Sequence, residues 1–159
     1  MTEYSTSPDD IAAVQALLGR EPAGPFRVIL RRPNGSPVVI ENAPHLDDGT
    51  PMPTLYWLVD DSLREQVSRL ESVGGVHRYE QEVDPAALEA AHDQYRAIRM
   101  SRVVRHNLPQ PSGGVGGTRT GIKCLHAHLA SHLAGIADPV GVLVAEQISV
   151  GTVIPTMVE

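Results

Sequence analysis

The spacing of apolar residues changes from strand-like to helix-like along the chain, and this change does most to limit the possible folds. Apolar residues recur at every second position from Phe26 to Leu30, and residues 38–40 and 55–59 are rich in β-branched and aromatic side chains. Such segments are typical of strands, and the intervening residues 33–36 (PNGS) are typical of a hairpin turn. This part of the chain therefore predicts a small antiparallel sheet of about three strands.

Helical spacing dominates elsewhere, and each predicted helix follows a residue suited to its start. The candidate N-caps, whose side chains accept hydrogen bonds from the first helical amides, are Ser7, Asp60 or Asp61, Asp84 and Asp138. The predicted core residues on the apolar helix faces are Leu63, Val67, Leu70, Leu125, Leu129 and Leu133. Basic residues late in the third predicted helix indicate a solvated face; they are Arg96, Arg99, Arg102 and Arg105. Together these patterns predict one α+β domain over residues 1–159, with several helices packed on the sheet.

Composition limits the compartment and the partners. The chain has 159 residues, a formal net charge of −6 and one cysteine, Cys124. The negative charge argues against nucleic acid as a partner. A single cysteine excludes an intrachain disulfide and fits a reducing compartment. Neither a secretory leader nor an apolar run of about 18 residues is present, so we expect a cytoplasmic protein without a membrane span.

Residues 107–117 (NLPQPSGGVGG) form the stretch that is richest in proline and glycine, and we interpret them as a functional loop or hinge within the single domain. A helix is predicted to follow, from Thr118 to Ala134. Glycine lets backbone N–H groups approach a ligand closely, and a helix N-terminus favours negative charge. The loop therefore predicts a site for a phosphate-like anion, with a flexible linker as the alternative. The candidate ligand-binding residues are Gly114, Gly116, Gly117, Thr118, Arg119 and Lys123.

The predicted helix also carries residues that can bind metal. Cys124, His128 and His132 are spaced one turn apart on one face, and His126 lies on the other flank of the leucines. A thiolate with imidazoles suits a zinc-like divalent cation, so the candidate metal ligands are Cys124, His126, His128 and His132. Cys124 and His128 are also the candidate catalytic residues. The alternative is a helix whose histidines are partly buried and hydrogen-bonded.

The chain resembles the uncharacterised, largely actinobacterial family catalogued as domain of unknown function 501. The resemblance rests on residues 16–20 (ALLGR), the hairpin, residues 53–58 (PTLYWL) and above all residues 121–128 (GIKCLHAH). Genes of this family often neighbour those of a septum-formation initiator and an exopolyphosphatase. The resemblance therefore implies a partner in cell division or polyphosphate metabolism. Relatives often have a cysteine after the paired arginines, where this chain has Pro33.

Three functions follow from these observations. The favoured one is binding of a phosphate-containing small molecule at the glycine-rich loop and the following Cys/His helix. The second is a zinc-like metal site, either structural or hydrolytic. The third is a non-enzymatic interaction module linked to cell division.

Overall fold

A four-stranded antiparallel sheet forms one layer of the protein, as the computed structural model, which describes residues 4–156, shows. Its strands are β1 (Phe26–Arg31), β2 (Pro37–Asn42), β3 (Tyr56–Leu58) and β4 (Ile154–Pro155), in the order β3-β2-β1-β4. The three predicted strands are confirmed. The fourth is a two-residue edge strand in which Leu30 pairs with Pro155 and Arg31 pairs with Ile154. So short a strand leaves no period-two pattern in the sequence.

Six helices within the described residues cover the sheet: α1 (Pro8–Leu18), α2 (Asp61–Ser72), α3 (Gly75–Glu82), α4 (Pro85–Ser101), α5 (Leu125–Leu133) and α6 (Pro139–Gln147). The predicted caps are confirmed, because Ser7, Asp60, Asp84 and Asp138 each accept a hydrogen bond from an amide in the first turn of α1, α2, α4 and α6. Helix α3 has no counterpart among the predicted helices; it begins directly after Gly74, whose left-handed φ of 84° separates it from α2. The α+β fold class is correct. No helix in the described part is long and apolar enough to cross a membrane.

The start of α5 differs from the prediction. The helix was expected to begin near Thr118, but it begins at Leu125, and Cys124 has an extended backbone. Amides just before α5 and at its first residue are held by side chains from other helices: Ile122 N–H donates to Glu80 at 3.0 Å and Leu125 N–H donates to Glu71 at 2.8 Å. These carboxylates satisfy amides that a longer helix would use internally, so long-range contacts override the local helical spacing.

One main core lies between the sheet and the helices. Four of the six predicted core residues, Leu63, Val67, Leu125 and Leu129, are fully buried, whereas Leu70 and Leu133 are only partly buried at its edge. A smaller cluster around Val14 and Phe26 packs α1 on the other part of the sheet. Because the main cluster includes residues from both sides of the 107–117 loop, that loop connects two parts of one core.

Candidate functional site

Helix α5 begins with Cys124 as its N-cap residue. The Cys124 Sγ accepts a hydrogen bond from the Ala127 N–H at 3.4 Å, and the side chain is only partly buried. Oxygen-bearing side chains usually occupy this position, since they are better acceptors. The extended backbone of Cys124 brings the thiol to the start of the helix, next to the surface.

Two side chains join Cys124 there: His126, in the first turn of α5, and Glu71, in the last turn of α2. One ligand-type atom of each lies within 4.8 Å of the other two. The His126 Nδ1 is 3.2 Å from Glu71 Oε1, and Glu71 Oε2 accepts the hydrogen bond from Leu125 N–H. The Leu125 amide therefore fixes the Glu71 carboxylate against the start of α5.

The second ring nitrogen of His126 faces α2. His126 Nε2 is 3.2 Å from the Arg64 carbonyl oxygen and 3.1 Å from Ser68 Oγ. A carbonyl only accepts hydrogen bonds, so Nε2 carries the proton and donates it. The hydrogen bond with Cys124 raises the pKa of His126 above its ordinary value of 6.5; burial opposes this change, and the Glu71 carboxylate adds to it. These contacts therefore favour the protonated form of the His126 ring.

Cys124 and His126 open onto a cleft of about 760 Å³ between α2, β3 and the start of α5. Its basic side chains are Arg20, Arg64 and Lys123, and its acidic ones are Asp61 and Glu65. The Trp57 ring also lines it, with the Arg20 guanidinium 5.4 Å from the ring centroid. The cleft thus combines cations, an aromatic surface and the Cys124–His126 pair.

His128 lies on the opposite side of α5 from this cleft and is fully buried. Its Nδ1 is 2.7 Å from Asp138 Oδ2, and Asp138 Oδ1 accepts the first amides of α6, from Val140 and Gly141. His128 Nε2 has no hydrogen-bond partner among the described residues. His132 is partly buried where α5 passes Gly141 of α6. The predicted stripe of Cys124, His128 and His132 is thus not brought together as a three-ligand group in residues 4–156.

The glycine-rich loop is closed by internal hydrogen bonds. The N–H groups of Gly114, Val115 and Gly117 donate to Thr118 O, His92 Nδ1 and Gly114 O, respectively. A Cβ on Gly114 would collide with the His92 ring. Most of these amides therefore stabilise the loop itself, which forms a 3₁₀ turn at Val115–Gly117.

The buried side chain of Arg99 in α4 holds the glycine-rich loop by a hydrogen bond to its backbone. The predicted solvated face is wrong for this residue, because Arg99 is only 1% exposed. Its guanidinium donates to the Gly113 and Pro53 carbonyl oxygens at 2.5 and 3.2 Å. Burial lowers the pKa of Arg99. The position of Arg99 in the last turn of α4 predicted exposure to solvent, but the glycine-rich loop covers its side chain.

The predicted anion-binding residues separate into two clefts. Gly116 and Lys123 line the large one, whereas Arg119 lines a second cleft of about 470 Å³ together with Arg96 and His92. Thr118 Oγ1 donates to the nearby Thr120 carbonyl oxygen. The structure therefore does not bring Arg119 and Lys123 to a common ligand.

Glu71, Arg64 and Trp57 are not among the site residues that the sequence predicts. A partial signal was present, since Arg64, Ser68 and Glu71 follow at helical spacing on one polar face of α2. Nothing local indicated that this face would meet Cys124 and His126. That contact depends on how α2 and α5 pack against each other.

Comparison with known proteins assigns the chain to a family. No curated protein and no solved structure matches this chain. A family model matches residues 28–146, a span that includes Trp57, Arg64, Glu71, Lys123, Cys124 and His126. The chain therefore belongs to the family described as Protein of unknown function (DUF501).

Proposed function

We propose that this protein binds a small phosphate-like anion in the large cleft. The observation that carries the proposal is the position of three cations, Arg20, Arg64 and Lys123, which come from three separate parts of the chain to line one concave surface. Phosphate groups are recognised by such convergent cations, with arginine supplying forked donors and lysine a point charge.

The acidic residues of the cleft act unequally on its cations. Glu65 pairs with Arg69 at 2.5 Å, whereas Asp61 lies 3.8 Å from Arg64 and offsets part of the charge of that arginine. Lys123, in contrast, makes no ion pair with any carboxylate in residues 4–156. Its charge is therefore available to a ligand, and the Trp57 ring, which lines the same cleft, offers a surface for a planar group.

The glycine-rich loop contributes to this site through Gly116, which lines the cleft. Its φ angle of 70° lies in the left-handed region, and a Cβ there would touch Ala127 and Lys123 at 3.4 and 3.6 Å. Replacing Gly116 with valine would strain the backbone and add two methyl groups beyond a Cβ that already contacts Lys123. Because Gly116 lines the same cleft as Lys123, we expect the Gly116→Val variant to bind anions more weakly than the wild type.

The proposal is tested by titrating phosphate, pyrophosphate, short polyphosphate and nucleotides into the metal-free protein by calorimetry. Lys123→Ala should weaken binding by roughly 1.5 to 3 kcal/mol, since it removes a charge-assisted contact, and added salt should weaken the wild type. Arg119→Ala is the matched control, because it removes the same charge from the second cleft.

Two results would contradict the proposal. One is a wild-type protein that binds none of these anions below millimolar concentrations. The other is a loss of affinity in Arg119→Ala with none in Lys123→Ala, which would move the anion to the second cleft. In the absence of any anion binding, the interaction module linked to cell division becomes the better function.

A further inference from the structure

The geometry points to a binding site for a zinc-like divalent cation formed by Glu71, Cys124 and His126 at the edge of the large cleft. Thiolate, imidazole and carboxylate are the three ligand types that zinc accepts, whereas magnesium and calcium prefer oxygen alone. Glu71 was not among the ligands expected from the sequence. The site stands on its own contacts, whether or not an anion binds in the cleft.

The distances fit this cation. Ligand atoms on a tetrahedral zinc, at bonds of about 2.0–2.3 Å, are about 3.3–3.6 Å apart. His126 Nδ1 and Glu71 Oε1 are already 3.2 Å apart, and all three ligand atoms lie within 4.8 Å of one another. The Cys124 Sγ would have to move closer to the other two ligand atoms to complete the site, and its side chain is only partly buried.

The hydrogen bonds of His126 supply a geometric reason. Because Nε2–H donates to the Arg64 carbonyl, Nδ1 is the ring nitrogen that faces the Glu71 carboxylate, and in the neutral ring its lone pair points there. Two acceptors that face each other need a positive charge between them, either a proton or a metal ion. A backbone carbonyl that holds the remote N–H is also the usual support of a metal-bound histidine.

The surroundings leave one side of the cation open. Glu71 is oriented by the Leu125 amide at 2.8 Å, which is the kind of support that ligating carboxylates have. Cys124 and His126 both line the cleft, so a fourth position would face it. Three protein ligands with one open position are typical of zinc sites that take a substrate or water, whereas structural sites have four protein ligands.

The test uses full-length protein that has been stripped with a chelator and kept reduced in phosphate-free buffer. Titration with Co²⁺ should give one equivalent bound, with thiolate-to-cobalt charge-transfer absorption, and Zn²⁺ should displace it. Cys124→Ser should abolish that absorption. Glu71→Gln and His126→Ala should each weaken Co²⁺ binding more than about tenfold, the loss that removal of a supporting residue alone can cause.

His132→Ala is the matched control, because His132 lies on the same helix outside the cluster and should leave binding unchanged. Glu71→Gln keeps an oxygen that can accept the Leu125 hydrogen bond, so it tests the ligand role even if other variants unfold. Circular dichroism checks that each variant is folded. A wild type without cobalt–thiolate absorption, or unchanged affinity in Glu71→Gln and His126→Ala, would overturn the site. Since phosphate is absent here and metal is absent from the anion titration, the two proposals can fail separately.

Discussion

At the scale of single residues, the buried Asp138 side chain both caps α6 and contacts His128. Its Oδ1 accepts the amides of Val140 and Gly141, and its Oδ2 contacts His128 Nδ1. Both Asp138 and His128 are fully buried. A buried polar group that loses its partner costs more free energy than an exposed one, because water cannot replace the lost bond. His128, which the sequence made a candidate for catalysis, is thereby placed as a neighbour of this helix cap.

Replacing Asp138 with alanine should lower the free energy of unfolding by roughly 2 to 4 kcal/mol, since it removes a helix cap and leaves a buried histidine unpaired. Asp84→Ala is the control, because Asp84 also precedes a proline and caps a helix but is exposed. That variant should lose only about 1 kcal/mol. Urea denaturation measures both values, and equal losses would show that the His128 contact contributes nothing.

Among the elements, the loop before α5 depends most on distant contacts. His92 of α4 donates from Nε2 to the Gly121 carbonyl at 2.9 Å and accepts from Val115 N–H at 3.0 Å. One neutral ring therefore connects both ends of the segment to α4. Protonation at Nδ1 would replace the acceptor with a donor and break the bond to Val115.

Stability should fall in mild acid because of this ring. Burial lowers the pKa of His92 below its ordinary value of 6.5, although the Gly121 hydrogen bond opposes the shift. The unfolded chain therefore takes up the proton first, so the contribution is complete above pH 6.5 and is lost as the pH falls toward the folded pKa.

Urea denaturation of wild type and His92→Gln between neutral pH and pH 5 tests this dependence. The difference in unfolding free energy between the two proteins should shrink as the pH falls, by at most about 1.4 kcal/mol per pH unit. Other titrating groups are common to both proteins and cancel. A difference that stays constant, or grows, would contradict the role given to His92.

At the scale of the whole molecule, the sequence predicted those features that depend on interactions between residues close together in the chain. The caps at Ser7, Asp60, Asp84 and Asp138 depend on amides within three residues, and the hairpin depends on its own turn, so both could be found in the sequence. The start of α5 could not, because Glu71 and Glu80 bind its amides from 54 and 42 residues away. The candidate site follows the same rule: Lys123, Cys124 and His126 were found as a motif, and Glu71 was not.

The glutamate contacts before α5 have a consequence for backbone hydrogen exchange. The amides of Ile122 and Leu125 are held by side chains rather than by a helix or a strand, so their exchange should report movement of Glu80 and Glu71. Exchange of the Leu125 amide, followed by mass spectrometry or NMR, should slow on metal addition, because an ion bound to Glu71 holds its carboxylate against that amide, while the Ile122 amide serves as the internal reference. The Leu125 amide proton would then report, in solution, how the edge of the cleft responds when the metal binds.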